Sequence, residues 1–126
     1  MLGSKKNRLS ANGSDRVETL IGPQVVIRGD LQFSGGLYIE GKVFGKVIAE
    51  EGADSLLTLA AGGVIEGAIQ APKAVISGQL LGDLHCSERV ELTETARIQG
   101  NVHYRLLEIT AGAAVSGQLI HDHTAA

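Results

Sequence analysis

The chain has 126 residues, which is enough for one domain with tails. Two Tyr, two Phe and no Trp argue against a sandwich or α/β core, whereas 17 Gly and many aliphatic residues suit a narrow coil. The net charge of −3 divides into +3 for residues 1–16 and −6 for the remainder, which argues against a nucleic-acid-binding body, and the single cysteine, Cys86, excludes a disulfide framework.

The N-terminal segment, residues 1–18, is rich in Gly, Ser and Asn and poor in apolar residues, so we predict a disordered tail. It begins with two apolar residues followed by bases, a pattern that suits weak attachment to an anionic membrane surface. Many tails displayed on one assembly would strengthen that attachment. The alternative is a simple spacer. The residues of this candidate membrane tail are Met1, Leu2, Lys5, Lys6 and Arg8.

A phrase of the form aliphatic-x-Gly-x-aliphatic occurs six times, with steps of 16, 22, 15, 18 and 17 residues between its glycines. The aliphatic residues share one parity and the variable, mostly polar residues share the other, as in a strand with one buried face. Glycine in the buried row indicates a corner or a close approach of backbone. The six copies are 27–31, 43–47, 65–69, 80–84, 98–102 and 115–119.

A repeat of this length fits one turn of a β-solenoid with three short strands. We therefore predict an all-β fold, a right-handed parallel β-helix of about six rungs with three short sheets, over residues 19–121. The uneven steps favour the right-handed coil over the strict left-handed hexapeptide coil. Residues 122–126 are predicted to be a second disordered tail.

In chain order, residues 19–31 open the solenoid, with Leu20, Ile21, Val25 and Ile27 as candidates for burial. The longest step contains Glu50, Glu51 and Asp54, which predicts an acidic loop over residues 48–55 that bulges from one corner. After this loop the rungs follow a regular pattern of in-out-in strand, turn and glycine phrase.

The two ends carry the functional hypothesis. No helix-forming stretch stands before Leu20 or after Ile120 to cover the outermost rungs, so both are predicted to be open templates for further copies of the chain. The alternative is that the tails fold over the ends and keep a monomer. The predicted interface residues are Leu20, Ile21, Val25, Ile27 and Leu31 at the first end, and Leu107, Ile109, Val115, Leu119 and Ile120 at the last.

Candidate chemistry is sparse. His85 and His103 each follow a repeat glycine by three residues and should stack on neighbouring rungs, whereas His121 falls out of register. Two histidines are fewer than the three convergent ligands of a catalytic zinc site, so no metal site is predicted. Cys86 and its neighbour His85 should point to opposite faces, which prevents a nucleophile and base pair. We predict no cofactor and no enzyme activity.

The sequence resembles the bactofilins, bacterial polymer-forming cytoskeletal proteins. The resemblance covers residues 19–121 and rests on Thr19-Leu20-Ile21-Gly22, on the phrase at residues 27–31, on the stretch from Gly35 to Gly45, and on the later glycine phrases. It implies a right-handed triangular β-helix that polymerises end to end without nucleotide, joins like ends, binds the inner face of the cytoplasmic membrane through its N-terminal tail, and scaffolds cell-wall enzymes or other partners.

The leading interpretation is thus a self-assembling cytoskeletal scaffold of the cytoplasm, with itself, the membrane surface and cell-shape machinery as partners. No signal peptide or membrane-spanning segment is found. An enzyme of the hexapeptide β-helix class, an acyltransferase or a γ-type carbonic anhydrase, is the runner-up. A monomeric adaptor that displays its flat faces to partners is the third reading.

Overall fold

The computed structural model describes residues 16–122. Sixteen strands lie in this part of the chain, every strand pair is parallel, and no helix occurs among these residues. Consecutive strands are not paired with each other, since each pairs with the strand one turn of chain earlier and one turn later. The predicted β-solenoid is therefore confirmed, and its handedness stays a prediction.

The solenoid has six rungs, and each rung contributes one strand or half-strand to each of three faces. The first rung is β1 Val17–Ile21, β2 Val26–Arg28 and β3 Leu31–Phe33, and the second is β4 Gly35–Ile39, β5 Lys42–Phe44 and β6 Val47–Ala49. The middle rungs are β7 Ser55–Leu59, β8 Val64–Glu66, β9 Ile69–Ile76, β10 Gln79–Leu81 and β11 Leu84–Leu92. The fifth rung ends with β12 Arg97–Gln99 and β13 Val102–Tyr104, and the sixth is β14 Leu106–Ile109, β15 Ala114–Ser116 and β16 Leu119–His121.

The faces are three ladders of six strands. Ladder 1 runs β1-β4-β7-β9-β11-β14, ladder 2 runs β2-β5-β8-β10-β12-β15, and ladder 3 runs β3-β6-β9-β11-β13-β16. The prediction of three sheets needs one correction. Ladders 1 and 3 form a single 10-stranded sheet because β9 and β11 continue unbroken around the corner between them, whereas ladder 2 is a separate 6-stranded sheet.

The core is a stack of inward-facing aliphatic columns. One column on ladder 1 aligns Ile39, Leu59, Ile76 and Leu92, all with no exposed surface. Each such side chain contributes about 1.5–3 kcal/mol by its removal from water. No aromatic side chain is among the fully buried core residues of the described chain. The scarcity of aromatic residues is thus explained by a core one side chain wide.

The repeat glycines lie at the corner between ladders 2 and 3. A Cβ atom built on Gly82 would collide with the backbone carbonyl of Gly67 one rung below, and one built on Gly100 would collide with that of Gly82. The backbones stack too closely there for any side chain. This close approach is the physical reason for the glycine in the repeated phrase.

The corner between ladders 1 and 2 has two sizes. Four-residue turns close it in rungs one, three, five and six, with hydrogen bonds such as Gly63 N to the Ala60 carbonyl at 2.8 Å. Two-residue corners, at 40–41 and 77–78, close it in rungs two and four. Gly41 and Gly78 pack directly on the turn carbonyls of the wider corner below. Wide and narrow corners therefore nest, except between rungs five and six, where both are wide.

The predicted acidic loop is present but shorter than residues 48–55: it is the connection 50–54, because residues 48–49 belong to β6 and Ser55 begins β7. Strand β1 begins at Val17, inside the segment assigned to the N-terminal tail, because Val17 pairs with Gly36. The remaining tail residues, 1–15 and 123–126, lie outside the described residues.

Candidate functional site

The first rung is an edge on all three faces. Among residues 16–122, β1 pairs only with β4, β2 only with β5 and β3 only with β6. The other side of each strand presents backbone N–H and C=O groups to which no strand of residues 16–122 is paired. Within residues 16–122, these edge strands therefore leave backbone groups with which a further rung could pair.

The five predicted side chains of this end divide into a covered group and an exposed group. Ile21 is buried, and Ile27 and Leu31 are half-buried, all three at inward positions. Leu20 and Val25 are not buried as expected, since they are 60% and 42% exposed. Leu20 pairs with the outward Tyr38, which leaves the inward position to Thr19, and Val25 lies in the turn that follows β1.

The last rung is likewise an edge on all three faces. Strands β14, β15 and β16 pair only with β11, β12 and β13 within the described residues. Leu107 and Val115 are half-buried at inward positions, while Ile109 is 48% and Leu119 is 45% exposed. Ile120 is half-buried but points outward beside His103. Four of the five predicted residues therefore share the inward surface of this rung.

The two ends differ within a single column. Ile21 and Ile109 terminate the same inward column of ladder 1, yet Ile21 is 7% exposed and Ile109 is 48% exposed. Leu92, one rung before Ile109, has no exposed surface. One added rung would therefore bury the apolar surface that Ile109 now exposes. This burial would contribute about 1 kcal/mol of stabilising free energy.

The predicted histidine pair is confirmed on the outer face of ladder 3. The rings of His85 and His103 stack with centroids 4.0 Å apart, while His121 pairs with Tyr104 and lies outside their column. Gln70 and Ile120 continue that column on either side. Among residues 16–122 no group of three His, Cys, Asp or Glu side chains is arranged to hold a metal ion.

Electrostatics at this pair disfavour a second positive charge. Partial burial, and then the neighbouring His103, lower the pKa of His85, while Asp83 acts in the opposite direction. Cys86 lies on the other side of the strand and is buried, which raises the pKa of its thiol to about 12. A protonated, enclosed thiol facing away from His85 is not an activated nucleophile.

A shallow groove lies beside the histidine column, with a volume of about 520 Å³. The acidic loop forms its wall through Glu50 and Glu51, and Asp122 lies at its edge, while no lysine or arginine of the described residues lines it. The sequence predicts the loop but not the groove, because only the folded corner places the loop next to the histidines.

The proposed membrane tail, Met1, Leu2, Lys5, Lys6 and Arg8, lies outside the described residues. No helix found among residues 16–122 is long and apolar enough to span a membrane.

Comparison with known proteins gives a consistent family assignment. A family model described as bactofilin, polymer-forming cytoskeletal, matches residues 19–120. Bactofilin BacO of Myxococcus xanthus (strain DK1622) is 31% identical over 104 residues, which cover 82% of this chain and 79% of BacO. Bactofilin BacP of the same strain is 28% identical over 101 residues, 80% of this chain and 40% of BacP. No solved structure gives a significant match. Over nearly its whole solenoid, the chain belongs to the bactofilin family of polymer-forming cytoskeletal proteins.

Proposed function

We propose that this protein is a non-enzymatic scaffold that assembles end to end into filaments without nucleotide. The observation that carries the proposal is the loss of cover at the last rung, where the inward column goes from fully buried Leu92 to 48% exposed Ile109. A further copy stacked on this rung would continue three hydrogen-bond ladders and restore the cover. The membership of a polymer-forming family supports this use of the ends.

The contact would join the inward surfaces of the end rungs. Ile27 and Leu31 supply it at the first end, where Ile21 is already buried. Leu107, Ile109, Val115 and Leu119 supply it at the last end, with Leu20, Val25 and Ile120 at the rims. Surfaces at opposite ends of a rod allow growth without closure, whether like or unlike ends join.

The filament is further proposed to lie on the inner face of the cytoplasmic membrane and to position cell-envelope or cell-shape machinery. The support for the membrane is the apolar and basic start of the chain, Met1 and Leu2 followed by Lys5, Lys6 and Arg8, which a filament would display at every repeat. Deletion of residues 1–8 is expected to leave filaments intact and to reduce co-sedimentation with anionic liposomes. Unchanged co-sedimentation would remove the membrane part of the proposal.

Electron microscopy of Ile109→Arg tests the assembly itself. The substitution places an unpaired charge in the junction, so filaments should disappear while the β-rich circular dichroism spectrum stays. Ser116→Arg is the matched control, because Ser116 is an exposed, outward residue of the same rung and a charge there is solvated. Filaments of normal length from Ile109→Arg would contradict the end contact, and discrete trimers from the wild type would favour the hexapeptide-enzyme reading instead.

A further inference from the structure

The groove on the outer face of ladder 3 runs along the solenoid axis. Its floor follows one outward column over five rungs, in which each residue is paired with the next: Gln32, Ile48, Gln70, His85 and His103. Because stacked rungs lie about 4.8 Å apart, this floor is about 19 Å long. The groove volume of about 520 Å³ lies within the range of about 300–1,000 Å³ that is typical of ligand sites. The groove is therefore large enough to hold an extended segment of chain.

The lining of the groove combines apolar surface with negative charge. Half-buried Ile48 and Pro72 contribute the apolar part, and the exposed carboxylates of Glu50 and Glu51 form the acidic wall. Among residues 16–122, no lysine or arginine belongs to the lining. The lowered pKa of His85 keeps this ring largely uncharged at about pH 7, so it does not oppose the acidic wall. The groove thus suits a segment in which apolar residues stand next to positive ones.

The start of the chain has this composition. Met1 and Leu2 are apolar, and Lys5, Lys6 and Arg8 place three positive charges within four positions. The charge of this segment is opposite to that of the acidic wall and to that of the solenoid as a whole. Opposite charges on two surfaces favour their association and orient it.

The segment is attached at the corner that carries the acidic loop. Arg16 precedes β1, and the loop ends where Ser55 begins β7, both at the corner between ladders 3 and 1. Only β4 separates β1 from β7 in ladder 1, so the two points are two rungs, or about 10 Å, apart. Lys5 stands 11 positions before Arg16, a length of chain that spans up to about 36 Å. The basic residues therefore reach the loop and the whole floor of the groove.

We infer that the groove on ladder 3 is a docking site for residues 1–8 of the same chain, and that docking competes with attachment of this segment to the membrane. The competition rests on the proposed function, in which the same residues bind anionic lipid. One set of basic side chains cannot contact the acidic wall and a lipid surface at once. The groove lies on a side face, so docking leaves the end rungs available for assembly.

The competition would couple membrane attachment to filament formation. The contact between one segment and one groove is an exposed electrostatic contact and is weak. A single molecule has only one segment to exchange between the groove and the lipid. A filament displays many segments on one surface, and their combined attachment displaces them from the grooves.

Carbodiimide cross-linking of the full chain tests the docking. The reagent joins a lysine amine to a carboxylate only where the two groups are in contact, so the two lysines of residues 1–8 should be linked to Glu50 or Glu51. The control carboxylates are Glu66, exposed on ladder 2, and Glu94, exposed at the corner between ladders 1 and 2. Links to these should be several-fold rarer. Salt at about 1 M, where the Debye length is about 3 Å, should reduce the links to the acidic loop.

Sedimentation with phosphatidylglycerol vesicles tests the competition. Glu50→Gln/Glu51→Gln removes two charges from the acidic wall, so the fraction bound at limiting lipid should rise several-fold. Glu66→Gln/Glu94→Gln is the matched control, because it removes the same charge at exposed positions outside the groove and should bind as the wild type does.

The outcomes separate this inference from the proposed function. Links that are as frequent at Glu66 and Glu94 as at the acidic loop would overturn the docking and leave the membrane attachment standing. Links at the loop, with no sedimentation of the wild type or of either variant, would refute the membrane part of the proposed function. Equal sedimentation of the two double variants would overturn the competition.

Discussion

The imidazole rings of His85 and His103 lie 4.0 Å apart and nearly parallel, at 11°, on neighbouring rungs of ladder 3. The geometry follows from the parallel register, which places the two residues directly opposite each other. Rings held face to face gain contact when neutral and repel when both are charged. The lowered pKa of His85 agrees with this, since its causes are partial burial and then His103.

Replacement of His85 by Gln should therefore weaken the acid sensitivity of the fold. The unfolded chain protonates at the ordinary pKa, about 6.5, and the folded chain only at lower pH, so the unfolded state binds more protons between the two values. Stability is then retained above about pH 6.5 and falls as the pH decreases below it. Gln is a conservative choice at this position, because Gln70 already occupies the same column one rung before His85.

Urea unfolding at about pH 7.5 and about pH 5.5 measures the effect, in the non-assembling Ile109→Arg background so that polymerisation does not add to stability. The decrease in stability between the two conditions should be smaller for His85→Gln than for its parent. An equal decrease in both proteins would show that His85 does not contribute.

The glycine corner gives a second prediction. Gly82→Ala places a methyl group against the carbonyl of Gly67 at a φ of +150°, and the backbone of Gly67 leaves it no room. The expected cost is about 3 kcal/mol from overpacking and strain combined. Gly62→Ala is the matched control, because nothing lies within 4 Å of its added Cβ atom and its φ is ordinary, so stability should change little. Urea midpoints of the two variants that coincide would contradict the close-stacking explanation.

A third prediction concerns the residue after the repeat glycine. Asp83 accepts a hydrogen bond from the backbone N–H of Asn101 at 2.9 Å, and Asn101 accepts one from that of Gln118 at 3.0 Å, so these side chains join successive rungs. Asp83→Ala should lower the free energy of unfolding by about 1–2 kcal/mol. Asp83→Asn should change it little, since Asn101 already makes the same bond one rung later. Equal losses in both variants would mean that the carboxylate charge, not the acceptor oxygen, matters.

Periodicity is sufficient to predict the body of the fold. The six glycine phrases define the rungs, and their spacing alone predicts that His85 lies opposite His103. The same pattern assigns Asp83 and Asp30 only to turns or a solvated face. Their bonds to the next rung depend on a stacking register that the one-dimensional pattern does not state.

The ends are harder to predict because two adjacent apolar residues do not show which of them points into the core. Leu20-Ile21 and Leu106-Leu107 each contain two aliphatic residues, of which only one can point inward, and the pairing with Tyr38-Ile39 and Arg89-Val90 decides which. A register shift between Val17 and Thr19 further hides the parity of β1. The continuity of strands β9 and β11 is likewise hidden in the sequence, since Pro72 and the Ser87-Glu88 pair are typical of turns.

The last prediction concerns Arg97, which connects rung six to rung five by hydrogen bonds. The wide corners of rungs five and six do not nest, and Arg97 Nη1 donates to the carbonyls of Ala96 at 2.7 Å, Gly112 at 3.0 Å and Glu94 at 3.3 Å between them. Arg97→Met should therefore loosen rung six while the buried rungs stay intact. Hydrogen exchange measures this directly, at amides such as Ala114 N–H, which bonds the Ala96 carbonyl at 3.0 Å.

Arg89→Met is the control for Arg97→Met. Arg89 also connects rungs five and six, through Glu108, but in an exposed ion pair of the kind that contributes about 0–1 kcal/mol. Exchange in β15 should accelerate clearly for Arg97→Met and little for Arg89→Met. Since rung six carries one of the proposed contact surfaces, Arg97→Met should also slow assembly. Faster exchange without slower assembly would contradict the expectation that end-to-end assembly requires an ordered sixth rung.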